Sequence, residues 1–160
     1  MTVVVDVGCA TYPAYPEDES VRRLIARFDP SILFGYDPAP ELQPMRGLVD
    51  GHQVVLERKA VWTRTGFVGF ERDWNPLAAV AGDHVAPLAP AVECVDLVRV
   101  VQDVRALGQP VILKLDCEGG EFVLVPYLHA AGVDALVDLL LVEWHGPPPN
   151  LPLRCQQEAW

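Results

Sequence analysis

The chain has 160 residues, a net charge of −10 and an isoelectric point near 4.7. A chain of this length suits one domain with a sizeable core, and the excess of acids argues against non-specific binding to nucleic acid or to an anionic membrane. No apolar run approaches the roughly 20 residues of a membrane-spanning helix, and no signal peptide is apparent, so we predict a cytoplasmic protein.

The cysteine pattern and the hydrophobic content narrow the class further. Cysteines stand at four widely separated positions with no Cys-x-x-Cys pair, namely Cys9, Cys94, Cys117 and Cys155. This spacing is a poor match for structural zinc, and a disulfide framework is implausible at this size, so we expect reduced, buried thiols. The hydrophobic content of 51% is typical of a compact α/β protein.

The N-terminal segments predict two buried strands around one amphipathic helix. Thr2–Val7 is a β-branched run too short for a helix, and a loop follows over Cys9–Pro16, where prolines forbid regular structure. Apolar residues at helical spacing predict a helix over Val21–Phe28, and Ser31–Tyr36 predicts the second strand. A short helix is predicted over Pro40–Leu48.

The middle of the chain predicts a strand, a turn and a long loop. Gln53–Trp62 has the pattern of a third strand, and Trp62–Phe67 that of a hairpin turn from which Phe67–Phe70 returns. Prolines and alanines without a clear period over Glu71–Pro90 predict a mobile loop near the ligand edge. Val92–Val95 predicts a short extra strand.

The C-terminal segments predict two helices and two strands. Asp96–Leu107 is strongly amphipathic and ends at a glycine. A β-branched run from Val111 predicts a strand buried on both faces. Glu121–Ala131 predicts a helix that starts late or kinks at Pro126, and Leu136–Trp144 predicts the last strand.

Alternating strands and helices of these lengths predict an α/β fold with a doubly wound, mostly parallel Rossmann-like sheet and helices on both faces. In the usual order the first strand is central, flanked by the second strand and the strand from Val111, with the last strand beyond. Ligands of open parallel sheets bind outside the carboxyl ends of the strands. We therefore expect Asp6, Asp37, Asp116 and Glu143 to converge on one edge.

Four acids in one cleft repel each other unless a cation or hydrogen-bond donors offset their charge. An acid at the end of the second strand commonly holds the ribose of a nucleotide, whereas pyrophosphate prefers glycine amides at a helix N-terminus. An acidic edge therefore suits a ligand that carries a ribose together with positive charge. S-adenosylmethionine, with its sulfonium and ammonium groups, is such a ligand.

Five motifs carry a resemblance to a known family, and they occur in order along residues 3–146. They are Asp6-Val-Gly8-Cys, Phe34-Gly-Tyr-Asp37-Pro, Lys59-Ala-Val-Trp62, Lys114-Leu-Asp116-Cys-Glu118-Gly-Gly-Glu121-Phe and Val142-Glu143-Trp-His145. The sequence resembles the FkbM-type S-adenosylmethionine-dependent methyltransferases, and the fourth motif is the most specific. The resemblance implies methyl transfer to a hydroxyl of a sugar or small molecule, a domain over 1–146 and a Pro-rich tail over 147–160.

The resemblance also implies roles for individual residues. It places Asp6, Gly8 and Cys9 at the first cofactor loop, Asp37 at the ribose, Ala60 and Trp62 near the adenine, and Asp116 and Glu118 facing the transferred methyl and the acceptor. A hydroxyl acceptor needs a base or a metal to take its proton. Asp116, Glu118 and His145 are the candidate catalytic residues, in that order of expected proximity.

Two departures from the family pattern favour a second hypothesis, a catalytically degenerate methyltransferase-like module that binds a partner or ligand. The family usually has a second glycine shortly after Gly8, where this chain has Tyr12-Pro13. The family also commonly adds an antiparallel hairpin after the last strand, which we expect this chain to lack. A nicotinamide oxidoreductase fits less well, because no G-x-G-x-x-G follows the first strand.

Structural alternatives exist for several of these residues. Asp116 could pair with Lys114 on the same strand face, and Glu121 suits the first turn of a helix as a partner of the helix dipole. Glu143 and His145 lie two apart, so an Asp/Glu/His metal site is conceivable; a hydrogen-bonded histidine is commoner, and we assign no metal. An exposed sheet edge would permit a homodimer.

Overall fold

The structure, a computed structural model, describes residues 1–10, 20–72, 79–82 and 90–145, with side chains described at 1–10, 20–70 and 90–145. The strands are β1 (Val3–Val7), β2 (Ile32–Tyr36), β3 (Met45–Val49), β4 (His52–Glu57), β5 (Ala60–Trp62), β6 (Gly66–Arg72), β7 (Ala79–Gly82), β8 (Ala91–Asp96), β9 (Val111–Leu115) and β10 (Leu139–Val142). The helices are α1 (Ser20–Phe28), α2 (Leu97–Arg105) and α3 (Glu121–Ala130), with a 3-10 turn at Asp134–Leu136.

A six-stranded sheet in the order β10-β9-β1-β2-β4-β3 forms the centre of the fold. Its first five strands are parallel, and β3 is antiparallel to β4 at the edge. The predicted arrangement of β1 between β2 and β9, with β10 beyond, is confirmed. The protein is thus an α/β fold with a mixed, mostly parallel sheet, compatible with a Rossmann-like architecture.

The two faces of this sheet bury different elements. Alternate residues of β1 and β9, such as Val5 and Leu113, face a core shared with α2, α3 and strands β5, β6 and β8. Residues of the opposite parity, such as Val4 and Ile112, pack against the apolar side of α1. Because side chains alternate along a strand, each strand can contribute to both cores.

A second sheet in the order β5-β8-β6-β7 was not predicted. The predicted hairpin between Trp62 and Phe67 is wrong, because β8 lies between β5 and β6. The predicted single strand Gln53–Trp62 is also wrong, because the backbone N–H of Lys59 donates to the carbonyl of Glu57 at 2.9 Å. That tight turn passes the chain from β4 in the first sheet to β5 in the second.

Three further predictions need correction. The predicted helix over Pro40–Leu48 is wrong: β3 lies there and pairs with β4 across a turn at Asp50 and Gly51, whose φ angles are 50° and 89°. The predicted loop Glu71–Pro90 contains the end of β6 and all of β7. The last strand starts only at Leu139, because a 3-10 turn precedes it.

The three helices and the extra strand β8 are confirmed with small changes of boundary. Helix α2 begins after Asp96, whose carboxylate accepts the backbone N–H of Val98 at 2.8 Å. Helix α3 starts at Glu121 and includes Pro126 in its interior, so the predicted late start is wrong. Within the described ranges, no helix has both the length and the apolarity needed to cross a membrane. The predicted loop beyond Ala10 and the tail from residue 146 lie outside the described residues.

Candidate functional site

A cleft of about 760 Å³ opens at the carboxyl edge of the parallel strands. Its wall is built by the ends of β1, β2, β5, β9 and β10 and by one side of α1. Seven of the residues predicted for the site line it, namely Gly8, Asp37, Ala60, Trp62, Asp116, Glu118 and His145. The strand-end rule for parallel sheets therefore located the cleft correctly.

The floor of the cleft is a close crossing of two backbone segments after β1 and β9. Gly8 has a φ of 87°, and a Cβ placed on it would lie 1.7 Å from the carbonyl oxygen of Asp116. The backbone N–H of Asp116 donates to the carbonyl of Val7 at 2.9 Å, and that of Gly8 donates to Tyr36 at 2.9 Å. Only glycine fits this crossing, which fixes Asp116 relative to the first loop.

Lys114 joins two acids at the base of the cleft. Its Nζ lies 2.6 Å from Asp116 Oδ2 and 3.4 Å from Asp6 Oδ1. Asp6 is fully buried, and this burial, only partly offset by Lys114, raises its pKa to about 6. Burial also acts to lower the pKa of Lys114, but the two carboxylates outweigh it and the net shift is upward. The predicted ion pair between Lys114 and Asp116 is thus present.

His145 is anchored by a buried acid of α3. Its Nδ1 lies 2.7 Å from Glu121 Oε1, which also accepts the backbone N–H of Cys117 at 3.1 Å. The hydrogen bond to Glu121, helped by neighbouring carboxylates, raises the pKa of His145 to about 9. Its Nε2 lies 3.6 Å from both Asp116 Oδ1 and Glu118 Oε1. Without another cation at this position, His145 is therefore protonated at neutral pH and makes a poor proton acceptor.

Glu118 stands beside this pair in a left-handed backbone conformation with a φ of 51°. Partial burial raises the pKa of its carboxyl, and His145 acts in the opposite direction. The glycines on its C-terminal side continue the turn into α3. Glu118 is thus a partly exposed carboxylate with a raised proton affinity, which is the property a general base requires.

Asp37 lies at the other end of the cleft and is held by backbone amides. Its Oδ2 accepts the N–H of Ala10 at 3.1 Å, and its Oδ1 accepts that of Ala39 at 2.8 Å. These bonds tie the loop after β1 to the end of β2.

Two residues predicted to bind the cofactor lie behind the cleft and do not line it. Asp6 and Cys9 are 0% and 2% exposed, and neither belongs to the cleft lining within the described residues. Burial, reinforced by the charges of nearby acids, raises the pKa of the Cys9 thiol well above its ordinary value. Both residues therefore support the cleft from behind.

Sequence reasoning missed the contact of Glu121 with His145 and the cationic side of the cleft. Arg23 and Arg27, one turn apart on the polar face of α1, also line the cleft. Their helical spacing was the available signal, but it does not show which way the helix faces. The contact between Glu121 and His145 joins two segments that the sequence gives no reason to pair.

Comparison with protein-family models, with curated proteins and with solved structures gives no match to this chain. The resemblance to FkbM-type methyltransferases therefore depends on the sequence motifs. What the structure adds is the position of those motifs around one cleft.

Proposed function

We propose that the chain is an FkbM-type, S-adenosylmethionine-dependent methyltransferase that methylates a hydroxyl of a sugar or another small molecule. In this proposal residues 1–146 form a doubly wound Rossmann-like domain. One observation carries the proposal: Gly8, Asp37, Trp62 and Asp116, from four separate segments, line the same cleft. A ligand in that cleft would meet all four motifs at once.

The composition of the cleft suits the proposed cofactor. Asp37 is the natural partner of the ribose hydroxyls, since it lines the cleft directly after β2 and an acid at the end of a second parallel strand commonly holds a ribose. The indole of Trp62 offers an apolar wall for an adenine ring. When bound, S-adenosylmethionine supplies a methyl group on a positively charged sulfur. The acids Asp116 and Glu118 favour that positive charge.

A residue of the chain would also accept the proton that the acceptor hydroxyl loses. Without a bound cation His145 is protonated at neutral pH, and Asp116 is engaged by Lys114. Glu118 is the remaining candidate base, because its carboxyl lines the cleft and its pKa is raised. The expected order, with Asp116 first, is revised in this proposal so that Asp116 positions and Glu118 accepts the proton.

Calorimetric titration with S-adenosylmethionine and S-adenosylhomocysteine tests the proposal. Asp37→Asn keeps the size of the side chain but removes its charge, so we expect weaker cofactor binding by about 10- to 100-fold. Asp103→Asn is the matched control, because Asp103 is exposed on α2, does not belong to the described cleft lining and forms its ion pair with Arg99 at 3.8 Å. Equal loss in both variants, or binding unchanged by Asp37→Asn, would contradict the assigned role.

A degenerate binding module is the second candidate, and a specific observation favours it. Both carboxylate oxygens of Asp37 already accept backbone amides, as expected of an acid that only organises its loop. Wild-type protein that binds neither cofactor form at millimolar concentration would leave only this module.

A further inference from the structure

Three side chains at the ends of β9 and β10 have the geometry of a metal site. Asp116, Glu143 and His145 each offer one ligand atom, and these atoms all lie within 4.8 Å of one another. Asp116 directly follows β9, while the other two follow β10, its parallel neighbour. Side chains from two adjacent strand ends thus converge with little movement needed for a common ion.

The hydrogen bond of His145 orients its free nitrogen into this set. Nδ1 lies 2.7 Å from Glu121 Oε1, so Nδ1 is the donor and Nε2 remains for coordination. Nε2 lies 3.6 Å from Asp116 Oδ1. Histidine ligands of metals usually donate their other ring nitrogen to a carboxylate in this way, which fixes the tautomer and the ring orientation.

A buried and incompletely paired acid gives an independent reason to expect a cation. Glu121 is 0% exposed and directed at the imidazole of His145, yet its Oε2 has no hydrogen-bond partner within the described residues. An ionised carboxylate in that position is costly unless positive charge lies close by. A proton on His145 or a divalent ion on the far side of the imidazole supplies that charge, and the convergence of Asp116 and Glu143 on the same position favours the ion.

The neighbouring residues leave ligand atoms and open positions available for a metal ion at these three side chains. Lys114 engages Asp116 through Oδ2 at 2.6 Å, which leaves Oδ1 directed at His145. Glu143 is exposed and Glu118 is partly exposed, so solvent or a ligand oxygen can reach the remaining positions. Two carboxylates and one imidazole, with open positions, form a mixed oxygen and nitrogen ligand set.

We propose that Asp116, Glu143 and His145 bind a divalent cation of the Mn²⁺ or Zn²⁺ class, with Glu121 as the positioning residue. The imidazole favours these ions over Mg²⁺ and Ca²⁺, and the carboxylates suit Mn²⁺. The sequence alone assigns no metal, because a hydrogen-bonded histidine at a strand end is commoner than a ligating one; the structure places that hydrogen bond beside three converging ligand atoms. Any use of the ion in methyl transfer rests on the proposed function; the site itself does not.

Electron paramagnetic resonance tests this proposal directly, since free Mn²⁺ gives a sharp six-line signal that binding removes. The chelator-treated full chain is titrated with Mn²⁺ alone, without cofactor, and we expect one site per chain that Zn²⁺ competes for. Glu143→Gln and His145→Gln should each weaken binding by at least about tenfold, and Glu121→Gln by about 10- to 100-fold. Glu143 is exposed, so its variant tests the site without endangering the fold.

His129→Gln is the matched control. His129 is a second histidine whose Nδ1 contacts a carboxylate, that of Asp134 at 2.7 Å, but it is exposed and outside the three-ligand group. Its replacement should leave Mn²⁺ binding unchanged. If wild-type protein binds neither Mn²⁺ nor Zn²⁺, or if Glu143→Gln and His145→Gln bind as tightly as wild type, the proposal is wrong and protonated His145 is itself the cation. If the wild-type protein still binds S-adenosylmethionine in that case, only the metal site is refuted and the proposed function stands.

Discussion

Replacing Gly8 by alanine gives the sharpest test of how the cleft is built. The new Cβ would lie 1.7 Å from the carbonyl oxygen of Asp116, in a backbone with a φ of 87°. Gly51 provides a matched control, because its φ is 89° but nothing lies within 4 Å of its Cβ position. The two substitutions therefore share the conformational cost and differ only in the steric clash.

The expected magnitudes follow from those two contributions. A left-handed conformation costs a non-glycine residue about 1–2 kcal/mol, which is the whole effect predicted for Gly51→Ala. Overpacking adds about 1–3 kcal/mol, and here the neighbour is backbone that cannot turn aside. Gly8→Ala should thus lower the free energy of unfolding by roughly 2–5 kcal/mol, a large part of the 5–15 kcal/mol of a typical domain.

Urea unfolding followed by tryptophan fluorescence measures both variants, since Trp62 is buried in the core that unfolding exposes. A shifted midpoint at constant slope reports a change in stability alone. If Gly8→Ala proved no more destabilising than Gly51→Ala, the close crossing of the segments after β1 and β9 would be refuted. A Gly8→Ala chain that fails to fold beside a folded Gly51→Ala chain agrees with the argument.

Two further predictions concern polar side chains of the fold. Asp96→Ala should cost about 1–2 kcal/mol in the same unfolding assay, because it removes both the cap of α2 and the acceptor of the Tyr127 hydroxyl at 3.0 Å, while Asp96→Asn should cost less. Lys114→Met should lower the free energy of unfolding by about 3 kcal/mol at mildly alkaline pH, because it leaves the buried carboxylate of Asp6 without a positively charged partner. Burial raises the folded-state pKa of Asp6 from 3.8 to about 6. Ionised Asp6 therefore destabilises the folded protein above that pH, and this destabilisation decreases as the pH falls through about 6 towards 3.8. Lys114 lowers the pKa of Asp6, so Lys114→Met raises that pKa further and Asp6 takes up its proton at a higher pH than in the wild type. In unfolding measured across pH, the penalty of Lys114→Met should therefore shrink as the pH falls towards about 6, and a constant penalty would contradict a buried, charged Asp6.

The parallel core was predictable because its strands are short apolar runs with a clear signature. Val3–Val7 and Val111–Leu115 are buried on both faces and bounded by polar residues, glycine or proline. In contrast, β3 has three exposed residues in succession and follows Pro44, so neither alternation nor hydrophobicity marks it. The Asp50-Gly51 pair was the overlooked signal, since it is a preferred two-residue hairpin turn.

The candidate site was predictable to the same extent as the strands that carry it. Acids at strand ends could be assigned to one edge, because parallel strands end on the same side of a sheet. Whether a residue lines the cleft or lies behind it depends on its position relative to the exact end of the strand, which the sequence does not give: Asp6 lies within β1 and is buried, whereas Gly8 follows β1 and lines the cleft. Partners contributed by helices, such as Glu121 for His145, depend on tertiary packing.

The placement of β1 in the middle of the sheet has a consequence for how the molecule acquires its structure. Val3 pairs with Ile32 on one side but with Val111 on the other. Strand β1 is synthesised early, and it cannot complete its pairing until β9 has been synthesised. Pairings between residues this distant in sequence slow folding, because the chain loses the entropy of loop closure before the strands gain any stabilising contact. Until β9 arrives, the Val3-Val4-Val5 segment presents an open edge to other chains. A chaperone that covers this segment during synthesis should therefore improve recovery of the protein.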